Sequence, residues 1–250
     1  MPSPREKLIL DIRYYESEVE NVSGESTPDD LGKVYSFPHS TGPIGARIAR
    51  KLRELGFSVG DFDHLYFNFT PLLPHGQCRL SSRIVDRRVR YIDFGADPRR
   101  INRLGAVKKE AFVIASTFAA LRSIVAKKKR QLTRIDEVER LIHEHGSETE
   151  IMHKVKETKR YSVITSYQIC PKGRQSIGFV TLVDKESGQS FKGKFARLQH
   201  YEDVFFLVGA ISVSDGWITL KPRRSVKADV YTGRYRVPIE IAIDDLDAVT

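Results

Sequence analysis

The sequence predicts an α+β fold, with an N-terminal mixed strand/helix region that includes a long apolar helix, followed by an antiparallel β-sheet or small barrel. Three observations carry this prediction. Before residue 146 apolar side chains recur at helical spacing in two stretches, Ile44, Ile48, Leu52, Leu55 and then Ile135, Val138, Leu141, Ile142. After Gly146 the period falls to two and stays there almost to the end, as in Tyr161, Val163, Thr165, Tyr167 and Ile169. Hairpin chemistry punctuates that second stretch at Glu186-Ser187-Gly188-Gln189, Asp215-Gly216 and Thr232-Gly233. The change of period divides the chain into an α+β region, 1–146, and a mainly antiparallel β region, 147–250.

Taken in order, Leu8, Leu10, Ile12 and Tyr14 alternate with more polar neighbours and predict a half-buried strand. Asn21 to Lys33 is rich in Ser, Gly, Asp, Glu and Pro and reads as a loop. Ser40-Thr41-Gly42-Pro43 supplies a cap and first turn for an amphipathic helix that Gly56 ends. Leu65, Phe67 and Phe69 alternate with Tyr66, Asn68 and Thr70 in a strand closed by Pro71 and Pro74. A further strand is predicted from Arg83 to Phe94, then a short turn at Asp97-Pro98 carrying Arg99, Arg100 and Arg103. The long apolar helix starts near Ala106, and Thr133 with Asp136 predicts a break before a second helix ending at Gly146. Beyond it, strands are predicted at Ile177–Val183, Ser190–Phe195, Val204–Val213, Trp217–Lys221 and Tyr235–Ile243. The aromatic-rich run Tyr201 to Val208 reads as a central strand covered on both faces.

Composition narrows the function classes. With 40% hydrophobic residues over 250 positions the chain can bury a sizeable core, which excludes wholesale disorder. The opening Met1-Pro2-Ser3-Pro4-Arg5-Glu6-Lys7 lacks an apolar stretch of signal-peptide length, so a cytoplasmic protein is expected. Cys78 and Cys170 stand alone, without C-x-x-C spacing, and suggest reduced thiols. The run Ala111 to Ala126 is interrupted by Arg122 and falls short of the about 20 apolar residues a membrane span needs, so a membrane is not an expected partner.

Charge is concentrated. Residues 79–134 hold 16 Lys and Arg against 4 Asp and Glu, a surplus of +12 in a chain that totals +9, which leaves −3 for the rest. Such a segment implies an anionic partner or an internal acidic surface. Its candidate binding residues, for a protein partner or for nucleic acid, are Arg83, Arg87, Arg88, Arg90, Arg99, Arg100, Arg103, Lys127, Lys128, Lys129 and Arg130. Clustered Lys and Arg neutralise phosphates, and Arg pairs bidentately with them. The window's few aromatics, Tyr91, Phe94, Phe112 and Phe118, argue against a stacking platform for single strands. Internal pairing with Glu16, Glu18, Glu20, Asp29 and Asp30 is the alternative use of these cations.

No motif carries catalytic chemistry. Ser40-Thr41-Gly42-Pro43-Ile44-Gly45 opens a helix without P-loop spacing, and seven histidines contain no H-E-x-x-H. G-x-S-x-G and a dinucleotide fingerprint are absent. The triplet Glu157-Thr158-Lys159 echoes half of a metal-dependent nuclease site but has no converging upstream Asp. The expectation is therefore a protein that is not an enzyme and needs no cofactor or metal.

Ser40-Thr41-Gly42-Pro43-Ile44-Gly45, with Asp63-His64-Leu65-Tyr66-Phe67-Asn68-Phe69-Thr70-Pro71, resembles bacterial immunity proteins of polymorphic toxin systems. So do Tyr201-Glu202-Asp203 and Trp217-Ile218-Thr219-Leu220-Lys221-Pro222. The resemblance implies a compact, cytoplasmic, non-catalytic protein whose partner is a toxin that it neutralises by direct occlusion. Immunity proteins against basic nuclease toxins are usually acidic. A basic chain of this type implies a toxin with an acidic surface, or a basic segment lying away from the contact. Nucleic-acid binding through 79–134 is the alternative function. No motif specifies an oligomeric state.

Overall fold

Periodicity decides which faces of these elements are buried, and the computed structural model, which describes residues 6–18, 28–38 and 41–249, shows the outcome in an α+β chain. Residues 1–147 and 148–250 form two compact units. The expected loop Asn21 to Lys33 lies outside the described residues up to position 27, as do Ser40 of the expected cap and Glu20.

Unit 1 begins with strands β1 (Lys7–Leu8), β2 (Asp11–Glu16) and β3 (Asp29–Asp30), helix α1 (Thr41–Glu54) and strands β4 (Ser58–Gly60) and β5 (His64–Thr70). It continues with β6 (Cys78–Leu80), β7 (Val89–Gly95) and helices α2 (Pro98–Asn102), α3 (Ala106–Ile124) and α4 (Lys129–His145). Five strands form one sheet in the order β3-β2-β5-β7-β6, while β1 pairs with β4. The centre β2-β5-β7 is parallel and the outer strands are antiparallel to it. Parallel neighbours need a crossover, which α1 supplies between β2 and β5.

Register then sorts the side chains. Ile12 lies opposite Leu65, Tyr14 opposite Phe67, Phe67 opposite Ile92 and Phe69 opposite Phe94, and residues so paired share a face. That face is the core, buried together with Ile44, Ile48 and Leu52 of α1, Phe118 and Leu121 of α3, and Ile135 and Val138 of α4. Helix α1 can approach because position 45 is glycine: a Cβ there would lie 2.3 Å from the Ile12 carbonyl oxygen. At the end of β2 the fully buried Glu16 carboxylate accepts four backbone N–H groups, from Gly32 (3.2 Å), Lys33 (2.6 Å), Val34 (2.8 Å) and Tyr35 (2.9 Å). Those bonds fix the segment that leads from β3 toward α1.

Two expectations are corrected in this unit. The long apolar helix is not present. Helix α3 buries one side, through Val113, Ile114, Phe118 and Leu121, and exposes Val107, Lys108, Ala111, Ala115 and Ala119 on the other. The run looked uniformly apolar because small alanines, which tolerate water at little cost, occupy the outer side. It stops at Ile124 rather than near Thr133, because Val125 is pulled into the core and Lys128 closes a turn onto the Val125 carbonyl at 2.7 Å. Helix α4 can then fold back and place Ile135, Val138 and Ile142 in the same core. The strand expected from Arg83 begins only at Val89, because the Asp86 side chain accepts the Arg88 amide at 2.7 Å in a turn.

Unit 2 carries β8 (Ile151–Glu157), β9 (Tyr161–Tyr167), β10 (Ser176–Asp184), β11 (Ser190–Leu198), α5 (Val204–Leu207), β12 (Ala210–Ser214), β13 (Trp217–Lys221), α6 (Val226–Thr232), β14 (Ile239–Ala242) and β15 (Asp247–Ala248). Two sheets result, β15-β11-β10-β9-β8 and β12-β13-β14, antiparallel at every pairing. The expected strand at Tyr201 to Val208 is instead a 3-10 turn followed by α5. Val204, Leu207 and Val208 are the buried positions, a helical spacing, and the buried Asp203 carboxylate accepts the His200 amide at 3.1 Å as a cap. Helix α6 was not foreseen; Ser225 caps it through the Ala228 amide at 3.1 Å.

Candidate binding site on the N-terminal sheet

The basic segment splits between the two ends of the parallel strands. Arg87, Arg88 and Arg90 lie where β7 begins, whereas Arg99, Arg100 and Arg103 belong to α2, just beyond where β7 ends. Seven residues of strand at ~3.3 Å each separate these groups by roughly 20 Å. Lys127 and Lys128 lie in the α3–α4 turn and Lys129 and Arg130 open α4, with Lys128 3.4 Å from Glu6 near β1. Several of the cations are already used. Arg88 holds Asp63 through Nε (3.2 Å) and Nη2 (3.0 Å), and Arg90 lies on the Phe62 ring and 3.7 Å from Asp61. These partners are local rather than the N-terminal acids that composition suggested, and Glu16 is occupied by backbone amides. Arg87, Arg99, Arg100 and Arg103 are exposed.

A second group of residues converges on the sheet face turned away from the helices. The register places Arg13 opposite Tyr66, Tyr15 opposite Asn68, Tyr66 opposite Tyr91 and Asn68 opposite Asp93, with Arg79 of β6 opposite Asp93. Tyr15 and Tyr66 have ring centroids 5.2 Å apart, and Tyr66 meets Tyr91 edge-on at 5.5 Å. Arg13 lies over the Tyr66 ring at 5.5 Å and Arg83 over the Tyr91 ring at 5.0 Å. Asn68 donates to Asp93 Oδ1 (2.8 Å) and Ser17 Oγ (3.0 Å), and Arg79 stands 3.5 Å from Asp93. Ile84, 57% exposed, and Val85, 53%, directly follow Arg83 of this cluster, whereas Leu80, 50% exposed, is in register with Ile92 and so lies on the helix side of the β6 edge.

The electrostatics follow from burial. Burial pulls the Arg83 guanidinium below its ordinary value, partly offset by Tyr91 and Asp93. It pushes the Tyr66 and Tyr91 phenols up, so both are neutral donors at physiological pH. Burial alone would raise the Asp63 carboxyl; hydrogen bonds from Arg88 and His64 outweigh it and hold the group below its usual range.

Of the sequence candidates, Arg83 alone sits within this cluster. Arg13, Tyr15, Tyr66, Asn68 and Arg79 were missed, although the polar alternates Tyr66 and Asn68 between Leu65, Phe67 and Phe69 were a visible signal that one face of β5 avoids the core. Glu157 of the nuclease-like triplet pairs with Lys185 at 2.6 Å and Ser162 at 2.8 Å. Among the described residues no group of three or more His, Cys, Asp or Glu could hold a metal ion, and no helix is long and apolar enough to cross a membrane. Unit 2 has a cleft of about 800 Å³ bounded by Phe179, Phe195, Ile239, Ile241 and Leu246, where the half-buried Lys192 is committed to Glu150 and the Phe179 ring. Comparison with protein-family models, with curated proteins and with solved structures finds no match for this chain.

Proposed function

We propose that the protein is a non-enzymatic protein-binding module, acting as an immunity protein that neutralises a bacterial toxin by direct occlusion, with its contact on the outer face and β6 margin of the unit 1 sheet. The exposure of the adjacent Ile84 and Val85 between Arg83 and Arg87 carries the reading. Contiguous exposed aliphatics beside Tyr and Arg have the composition of a protein interface, in which Tyr and Arg dominate the binding energy and charged groups line the rim. The surplus of cations suits a partner with an acidic surface and would steer its approach. Nucleic-acid binding draws less support, because a phosphate-tracking surface needs convergent cations and here they stand at opposite ends of β7.

The test is co-expression with a toxin encoded beside the chain's own gene. Growth rescue and a complex that co-elutes in gel filtration are expected, and Ile84→Asp with Val85→Asp should weaken the complex at least tenfold while leaving the fold intact. Neither rescue nor a complex with the unaltered protein, or full rescue by the double variant, would overturn the proposal.

A further inference from the structure

Arg83 is the most anomalous charge in unit 1. Its side chain is among the largest fully buried ones, at 2% exposure, yet Nε and Nη1 have no hydrogen-bond partner among the described residues. Buried charges are normally paired, because a guanidinium removed from water without an acceptor loses far more than an ordinary hydrogen bond. The Tyr91 ring covers one flat side at 5.0 Å but cannot accept from donors that point outward in the guanidinium plane. The nearest candidate counter-charge, Asp93, is already engaged by Asn68 and Arg79. Among the described residues, then, no acceptor is provided for these two groups.

We propose that Arg83 is a receptor for a carboxylate, an Asp or Glu side chain of the docked protein, so that binding supplies the acceptor the fold leaves out. The inference rests on the protein-binding reading above. A carboxylate fits because it is planar, anionic and carries acceptors only, matching a guanidinium whose unpaired groups are donors only. The route to it would open at residues 84–88, which follow Arg83 directly, are all exposed, and are held by the Asp86 turn, the Arg88–Asp63 pair and the bonds of the Arg88 carbonyl with the Asp63 and His64 amides. Displacing them breaks a few surface bonds and leaves β7 paired on both sides. Ile84 and Val85 lie on that same segment, so the exposed aliphatics and the buried cation would engage one partner together.

The probe is acetate, with inorganic phosphate as the second arm, titrated at constant ionic strength into the isolated full chain while arginine Nε–H resonances are followed by NMR. Loss of one resonance in Arg83→Lys assigns Arg83, and a nuclear Overhauser effect to the Tyr91 ring assigns it without a variant should that protein fail to fold. The Arg83 resonance should move saturably with acetate, while those of Arg87 and Arg99 drift without saturating. A drift shared by all arginines would overturn the proposal. Saturation by phosphate at tenfold lower concentration would also overturn it, in favour of a phosphate-bearing ligand. A failed toxin complex leaves this titration unchanged, and a titration without saturation leaves the complex standing, so the two proposals fail separately.

Discussion

His153 makes unit 2 sensitive to mild acid. Its imidazole is half-buried on β8, 5.4 Å from the Phe205 ring, with Nε2 3.3 Å from the Val208 carbonyl oxygen. Burial lowers its pKa from the ordinary 6.5 to about 4, against the pull of the Val208 carbonyl, which favours the protonated ring; the charges of Lys154 and Arg223 lower it further. The folded state therefore holds a neutral ring, donating from Nε2, where the unfolded chain binds a proton. Between pH 6.5 and 4 the unfolded state takes up more protons, so stability is fully present above the unfolded value and falls as pH drops through that window. Two binding curves with midpoints at 6.5 and 4 give a loss of about 2 kcal/mol between pH 7.5 and 5.

The assay is urea unfolding followed by Trp217, the chain's single tryptophan, which lies on β13 and so reports unit 2. His153→Phe keeps a ring beside Phe205 and removes the titration. It also leaves the Val208 carbonyl without its donor, at a cost of about 1 kcal/mol that is the same at every pH. Carboxylates such as Asp184 and Glu157, held below their ordinary values mainly by hydrogen bonds from the Glu186 amide and from Lys185, titrate alike in both proteins and cancel in the difference. Relative to the variant, the parent should lose about 2 kcal/mol from pH 7.5 to 5, so that the curves cross and a variant about 1 kcal/mol less stable at pH 7.5 is about 1 kcal/mol more stable at pH 5. Parallel curves would refute the assignment of a neutral, desolvated His153.

Three further outcomes test unit 1. Phe118→Ala, at a fully buried position of α3 between sheet and helices, should cost about 3–5 kcal/mol in chemical unfolding. Gly45→Ala should destabilise by about 2 kcal/mol or more, because the new methyl meets Ile12 backbone rather than a movable side chain; a neutral result would deny the close α1–β2 approach. Arg88→Ala, which deletes a solvent-screened pair with Asp63, should leave the urea midpoint close to that of the parent, and a large drop would show that the pair carries stability.

How much of this was legible in the sequence depends on whether local pattern or distant pairing decided each element. Trp217–Lys221 forms a strand with the bounds its alternation predicts, and α1 runs from Thr41 to Glu54 as its apolar spacing predicts, because each periodicity is local and unopposed. Tyr201 to Val208 misled because consecutive apolar residues suit a covered strand as well as a helical turn; the choice was made by Asp203, which caps the turn through the His200 amide and is held there by the Tyr235 hydroxyl at 2.5 Å, 32 residues away. The 79–134 charge surplus was equally visible, but its division was not. Only the parallel order of β2, β5 and β7 shows that Arg88 and Arg99 fall at opposite ends of one strand. The Tyr and Arg cluster draws on strands β2, β5, β6 and β7 and on Arg83 before β7, residues up to 78 apart in sequence from Arg13 to Tyr91, so no window of sequence contains it.

That parallel centre also bears on why the outer face of the sheet is built as it is. Parallel strands in most proteins are covered on both faces and read as continuous apolar runs. Here the helices of unit 1 lie on one face, and the strands alternate instead: Ile12, Leu65, Phe67 and Ile92 inward, Arg13, Tyr66, Asn68 and Tyr91 outward. An outward face meant only for water would be served by short polar or charged side chains. Three tyrosines packed tilted and edge-on against one another, with Arg13 and Arg83 over two of the rings, instead form a stiff layer in which Tyr15 and Tyr66 stay partly exposed and Tyr91 is buried, and such rings lose little conformational freedom on contact. The buried, unpaired Arg83 sharpens the point, since a face designed for solvent alone would have left that guanidinium in water. The same strand arrangement that scatters the basic segment thus gathers a smaller set of donors around the tyrosines and Arg83, and in the proposed complex the +12 surplus would act at a distance while that set would make the contact.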